Sequence, residues 1–162
     1  MIEINHISFG YPGSKHHVFD NLSFPLESNR IYGLLGKNGM GKSTLLYLIS
    51  GLLRPKSGDI FIDGIPSKDR LPVTLQDLFI VPEEYDMPPV TLKQFVQMNE
   101  SFYPHFNIDV LKNCLKDFEL PEEPNLKELS MGQKKKIYMS FALAAGTKYL
   151  FMDEPTNGLD IP

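Results

Sequence analysis

The chain has 162 residues, with 16 basic against 20 acidic side chains and a net charge of −4, so charge supplies no argument for nucleic acid as a partner. Apolar residues make up 42%, enough for a single core at this length. No apolar run approaches a membrane span, no apolar segment follows a basic start, and the lone Cys114 excludes an internal disulfide, which together fit a soluble cytosolic domain.

In chain order, Ile2 to Phe9, Phe19 to Leu26 and Phe61 to Ile62 read as strands of an antiparallel layer. The apolar run Ile31-Tyr32-Gly33-Leu34-Leu35 reads as a buried strand leading into Gly36-Lys37-Asn38-Gly39-Met40-Gly41-Lys42-Ser43-Thr44. That segment has the form of a phosphate-binding loop. Glycines at 36, 39 and 41 permit backbone conformations in which successive N–H groups turn towards an anion. Lys42 adds a mobile positive charge, Ser43 a hydroxyl for Mg²⁺, and the helix beginning here a positive dipole end. The alternative is a Gly-rich turn that matches by coincidence; the apolar stretches on both sides, including Leu45 to Ile49, argue against it.

Further along, Ile60, Phe61 and Ile62 form a strand that Asp63-Gly64 closes into a hairpin. Leu78 to Val81 reads as another strand. From Glu83 to Ser130 the pattern turns helical: Thr91 caps a helix whose Leu92, Phe95, Val96 and Phe102 share a face, and Ile108, Leu111, Leu115 and Phe118 repeat at the spacing of a second. Pro88-Pro89 and Pro121-Glu122-Glu123-Pro124 punctuate its edges. Tyr149 to Met152 reads as a buried strand running into Asp153 and Glu154. Ligands of open α/β sheets bind beyond the carboxyl ends of strands, so Asp153 is expected beside the phosphate loop as a Mg²⁺ ligand, direct or through water. Glu154 is then the candidate base that polarises the attacking water. A solvated turn is the alternative, since Pro155, Asn157 and Gly158 are turn formers.

Leu129-Ser130-Met131-Gly132-Gln133 makes the pattern specific. Ser130 is a good N-cap, Gly132 permits close backbone approach to a ligand, and Ile137, Phe141 and Ala144 supply an apolar helix face. Lys134 to Lys136 oppose the dipole of that helix, and a solvated charge run is the favoured reading. On these residues the chain resembles the ATP-binding cassette family, whose signature LSGGQ is matched with Met131 in place of the first glycine. The resemblance covers nearly the whole chain. It implies an α/β fold of the P-loop NTPase class, an ABC-type ATPase core with an N-terminal antiparallel β layer and a helical subdomain at about 84–130, all in one domain. It also implies ATP and Mg²⁺ as cofactors. Tyr11 sits where the family stacks an aromatic ring on adenine, with a core or turn tyrosine as the alternative. Gly51 to Ile60 looks like the structural turn from the first helix to the next strand. Ser130, Met131, Gly132 and Gln133 would cap the ATP of a partner cassette, and Asp160 resembles the residue that contacts that partner.

Two departures accompany the match. Glu83 stands where the family usually has a glutamine that senses the γ-phosphate and Mg²⁺; a carboxylate can still ligate Mg²⁺ or orient water but donates no hydrogen bond unless protonated. The family also continues past the second carboxylate to a histidine, whereas His6, His16, His17 and His105 all precede it, so the sequence reads as a cassette shortened after Asp160. The four histidines are assigned to surface or packing roles. The function expected is the ATP-hydrolysing subunit of a transporter, of exporter type, at the inner face of the cell membrane. Its partners would be a second cassette, identical or not, and a transmembrane permease, with no nucleic acid. The alternatives are a soluble ABC ATPase acting in assembly or regulation, and a catalytically inactive nucleotide-binding fragment.

Overall fold

Isoleucines and a phenylalanine at positions 2, 4, 7 and 9 alternate as a half-buried strand should, except that the phase slips by one residue after Ile4. The computed structural model, which describes residues 1–157, shows why. Strand β1 (Ile2–Phe9) carries a bulge at His6, whose φ is 52°, and all four apolar side chains stay buried on either side of it. The irregularity is shared by its neighbours. Asn21, at φ 54° in β2 (Phe19–Leu26), accepts through Oδ1 from His6 Nδ1 at 2.9 Å, and the His6 backbone N–H donates to Ser23 Oγ at 2.7 Å. On the other flank, Gly58 of β3 (Ser57–Ile62) approaches the Asn5 and His6 carbonyls so closely that a Cβ would collide with both.

The chain divides into two compact units, Met1–Leu75 and Gln76–Pro162. The first holds a four-stranded antiparallel sheet ordered β2-β1-β3-β4, β4 being Ile65–Pro66. Ile2 pairs with Ile62 and Ile4 with Ile60, so four isoleucines from two strands form one buried face. Asp63 and Gly64, at φ 50° and 79°, link β3 to β4 as the two-residue turn that a right-twisted hairpin favours. Helix α1 (Lys42–Ile49) buries Thr44, Leu45, Leu48 and Ile49, and Arg70 Nη1 donates to the Ser50 carbonyl at its C-terminal end, 2.8 Å away.

One expected element is absent. Residues 31–35 form no strand; Ile31 and Leu35 are 102% and 94% exposed. An apolar run becomes a strand only when a ladder holds it, and among the described residues both sheets are built from other strands.

The second unit pairs β5 (Leu78–Val81) in parallel with β6 (Tyr149–Met152), from Leu78 opposite Tyr149 to Val81 opposite Met152. Three helices of eight or more residues join them: α3 (Leu92–Asn99), α4 (Ile108–Asp117) and α5 (Met131–Ala144). Short α2 (Pro72–Leu75) belongs to the first unit. Thr91 caps α3 in a reciprocal capping box with Gln94, and Asn107 caps α4 through Asp109 and Val110. Leu92, Phe95, Val96, Leu111 and Leu115 enter the core as their spacing predicts. Phe102 does not; it lies in a tight turn that follows α3, where the helical period is broken, and is exposed. At the centre stands Phe141, with ring contacts at 5.2 Å to Phe95, 5.2 Å to Phe106 and 6.0 Å to Phe79.

Candidate nucleotide site

Gly41 opens helix α1 from the left-handed region, at φ 96°. Any side chain there would be strained, and its Cβ would collide with Val18 and press on the Phe19 ring. The turn before it is closed by the Met40 N–H donating to the Lys37 carbonyl at 3.2 Å. Lys42 folds back over the loop, its ammonium 3.0 Å from the Gly36 carbonyl and 3.4 Å from Asn38 Oδ1. Lys37, Asn38, Gly39 and Met40 are exposed, Ser43 is half-buried and Thr44 buried in the first turn of α1. An eight-residue helix thus begins on a glycine, with a lysine laid across an exposed loop, which is the arrangement that concentrates N–H dipoles and positive charge for an anion.

Tyr11 belongs to the same unit and is tied to the same turn. Its hydroxyl lies 2.8 Å from Thr44 Oγ1, and its ring sits edge-on to Phe9 at 5.1 Å. The residue remains 44% exposed. Nothing in the spacing of positions 11 and 44 announces this bond.

In the second unit, the end of β6 delivers the paired carboxylates. The Asp153 N–H extends the ladder to the Val81 carbonyl at 2.9 Å, and its side chain is buried, with Oδ2 meeting no hydrogen-bond partner from the protein. A buried carboxylate oxygen left in that state is costly unless a cation or donor completes it. Among the described residues no three His, Cys, Asp or Glu side chains converge on a metal position. Mg²⁺ fits such a site, because it takes one or two protein oxygens and fills its octahedron with water and substrate phosphate. Glu154 follows at φ 44°, a strained conformation for a non-glycine residue, and opens a turn in which the Asn157 N–H donates to the Glu154 carbonyl at 3.1 Å.

Glu83 reaches this turn: Asn157 Nδ2 donates to Glu83 Oε1 at 2.9 Å. The segment carrying Glu83 is held against α5 by Tyr85, stacked on Tyr138 at 4.7 Å and 14°, and burial pushes the Tyr85 phenol up to about 12. Ser130 Oγ accepts from the Gln133 N–H at 3.2 Å, and Gln133 Oε1 accepts in return from the Ser130 N–H at 3.0 Å. This capping box leaves Met131 and Gln133 exposed, with Gly132 half-buried between them. Replacing Ser130 by Ala removes one side of it. Thermal unfolding should show a loss of about 1 kcal/mol, and an unchanged melting curve would mean the box does not hold α5.

The family model described as "ABC transporter" matches residues 19–157, most of the chain. This chain belongs to the ABC transporter family. The Bacillus subtilis "ABC transporter ATP-binding protein YtrB" is 34% identical over 99% of this chain and 54% of its own length. The "SkfA peptide export ATP-binding protein SkfE" of the same organism is 34% identical over 88% of this chain and 62% of its own. The chain therefore spans little more than half the length of these two curated relatives. Among solved structures, a dimeric bacterial ABC transporter cassette overlays with a TM-score of 0.82 at 25% identity, covering 99% of this chain and 76% of that one. The ABC-type P-loop fold expected from the sequence is thereby shown, antiparallel sheet included.

Lys135 departs from the surroundings expected of it. Lys134 to Lys136 were expected as a solvated run, but Lys135 is buried, 5% exposed, and its ammonium donates to the carbonyls of Glu154 at 2.7 Å and Asn157 at 2.8 Å. The available signal was helical spacing: Lys135 precedes Tyr138 and Ala142 by three and seven residues, and so lies on their face. Lys136 instead sits over the Phe118 ring, 5.8 Å from its centroid. Asp160, the expected partner-contacting residue, lies outside the described residues.

Proposed function

We propose that this ABC chain binds Mg-ATP and hydrolyses it as one cassette of a two-cassette assembly that drives export through a separate membrane permease. The observation that carries the reading is the loop at 36–44, with its glycine start to α1 and its lysine cover. Residues 1–162 are read as one ATPase domain, with about 84–130 as its helical subdomain. Gly36, Lys37, Asn38, Gly39, Met40, Gly41, Lys42, Ser43 and Thr44 surround the phosphates, and Tyr11, an exposed aromatic residue, stacks on adenine. Lys42 exchanges its loop carbonyl for phosphate oxygens, a charge-assisted contact in place of a neutral one. Ser43 and Asp153, with Glu83, are the oxygens offered to Mg²⁺, which when bound neutralises phosphate charge. Glu154 acts as the base that polarises the attacking water.

Ser130, Met131, Gly132 and Gln133 cover the ATP of the second cassette, and Asp160 contacts that cassette. The dimeric state of the overlaid bacterial cassette supports this pairing. Export is supported by the relative named for peptide export. No helix among the described residues is long and apolar enough to cross a membrane, so a permease would have to be another polypeptide or another part of the whole protein. A peripheral place on the inner face of the membrane follows from that pairing, and no part of the reading calls on nucleic acid.

Two measurements test it. Equilibrium binding should show Mg-ATP affinity that Lys42→Ala reduces by about tenfold or more, the effect of losing one charge-assisted contact of roughly 1.5–3 kcal/mol. Equal affinity in the variant would remove Lys42 from the site. Purification from membranes should bring down a polytopic membrane protein; recovery of a soluble complex alone would favour an assembly or regulatory ATPase.

A further inference from the structure

We propose that Lys135 is a positioning residue for hydrolysis: its buried ammonium clamps the 154–157 turn and thereby fixes the direction of the Glu154 carboxylate. This rests on the reading of Glu154 as the base. The ammonium of a buried lysine loses its hydration and must recover it from the protein. Here two of its three protons go to carbonyls three residues apart in one tight turn, Glu154 and Asn157. Those are the carbonyls at the two ends of the segment Glu154-Pro155-Thr156-Asn157, which a third bond, Asn157 N–H to the Glu154 carbonyl, also closes.

The first residue of that turn is the one held at φ 44°. A glutamate leaves the left-handed region readily, since that backbone costs about 1–3 kcal/mol there. A charged donor on its own carbonyl offsets that cost, because rotation of the peptide back to an extended conformation would swing the carbonyl away from the ammonium. The same turn is gripped from its other end by Glu83, through the Asn157 side chain at 2.9 Å. Lys135 lies five residues past Ser130 on α5, so movement of the helix start carrying Ser130 and Gln133 is transmitted to the base through one ammonium. Signature segment, Glu83 and Glu154 are thus linked within one unit by Lys135 and Asn157, and no residue of the linkage has to touch ATP.

The test compares parent, Lys135→Met and Lys135→Arg in the full natural chain by steady-state hydrolysis, ATP binding and amide hydrogen exchange. In Lys135→Met we expect kcat to fall by about tenfold to a hundredfold, with ATP affinity unchanged and protection lost at the Asn157 amide, which closes the turn, but kept along β6. Lys135→Arg, which keeps charge and donors, should recover most of the rate and the protection. Protection of the Asn157 amide equal to that of the parent in Lys135→Met overturns the clamp. So does a rate and affinity that decline together without rescue by Arg. If Lys135→Met yields no folded protein, Lys135→Gln is read in its place, with the same protection loss expected and parent-like protection counting against the clamp. Should the parent itself fail to hydrolyse ATP, the assignment of Glu154 as base falls, while the exchange data still decide whether Lys135 holds the turn.

Discussion

Glu154→Gln should abolish most ATP turnover while leaving ATP binding intact. The amide keeps the size of the side chain and the backbone carbonyl that Lys135 holds, so the turn at 154–157 is retained. What disappears is a basic oxygen able to take a proton from water. General-base contributions run to about 10²–10⁴-fold in rate, and a fall of that order in kcat at constant ATP affinity is the expected result. Phosphate release measured under single-turnover conditions reads the chemical step directly. Turnover equal to the parent would assign the base elsewhere and leave Glu154 as a residue of the turn.

Phe141→Ala has the largest expected effect on stability. The ring is 1% exposed and meets Phe79, Phe95, Tyr103 and Phe106, with centroids between 5.2 and 6.1 Å. Truncating it removes apolar contact and leaves a cavity lined by four rings that cannot all move into it, which costs about 3–5 kcal/mol. A domain of ordinary stability has about 5–15 kcal/mol in total, so chemical denaturation should show a large drop in midpoint with little change in slope. A loss below about 1 kcal/mol would mean that the helices close over the gap, and that the ring cluster is less rigid than its contacts imply.

Much of the second unit was legible in the sequence because its signals are local. Thr91 and Ser130 each stand three residues before a glutamine, and each forms the reciprocal cap that this spacing allows. Short apolar runs at 78–81 and 149–152 form strands as read, and these pair in parallel. The antiparallel strands of the first unit were also recovered, and the hairpin at Asp63-Gly64 followed from two turn residues. What escaped depends on partners remote in sequence. Residues 31–35 have the composition of a strand, but composition does not supply a ladder. Three consecutive lysines look alike on paper, yet helical rotation sends Lys135 into the protein and Lys136 over an aromatic ring. The bond from Tyr11 to Thr44 spans 33 positions, and that from Asn157 to Glu83 spans 74, so neither could be inferred from neighbours.

The four-residue ladder between β5 and β6 has a consequence for chemistry as well as for folding. Aspartate and glutamate carry the same group with nearly the same acidity, so composition alone does not say which of the adjacent pair meets the cation and which the water. In the proposed assignment the pleat separates the two. Because Val81 accepts from the Asp153 N–H, residue 153 is the last to keep the strand's alternation, and residue 154 is the first to turn away from it. A slip of one residue in that short register would put Glu154 or Met152 in the place of Asp153 without altering a single atom of the sequence. Under the roles proposed for Asp153 and Glu154, their division of labour rests on backbone hydrogen bonds, and substitutions at Leu78 or Tyr149, which open that ladder, would disturb it while leaving both carboxylates in place.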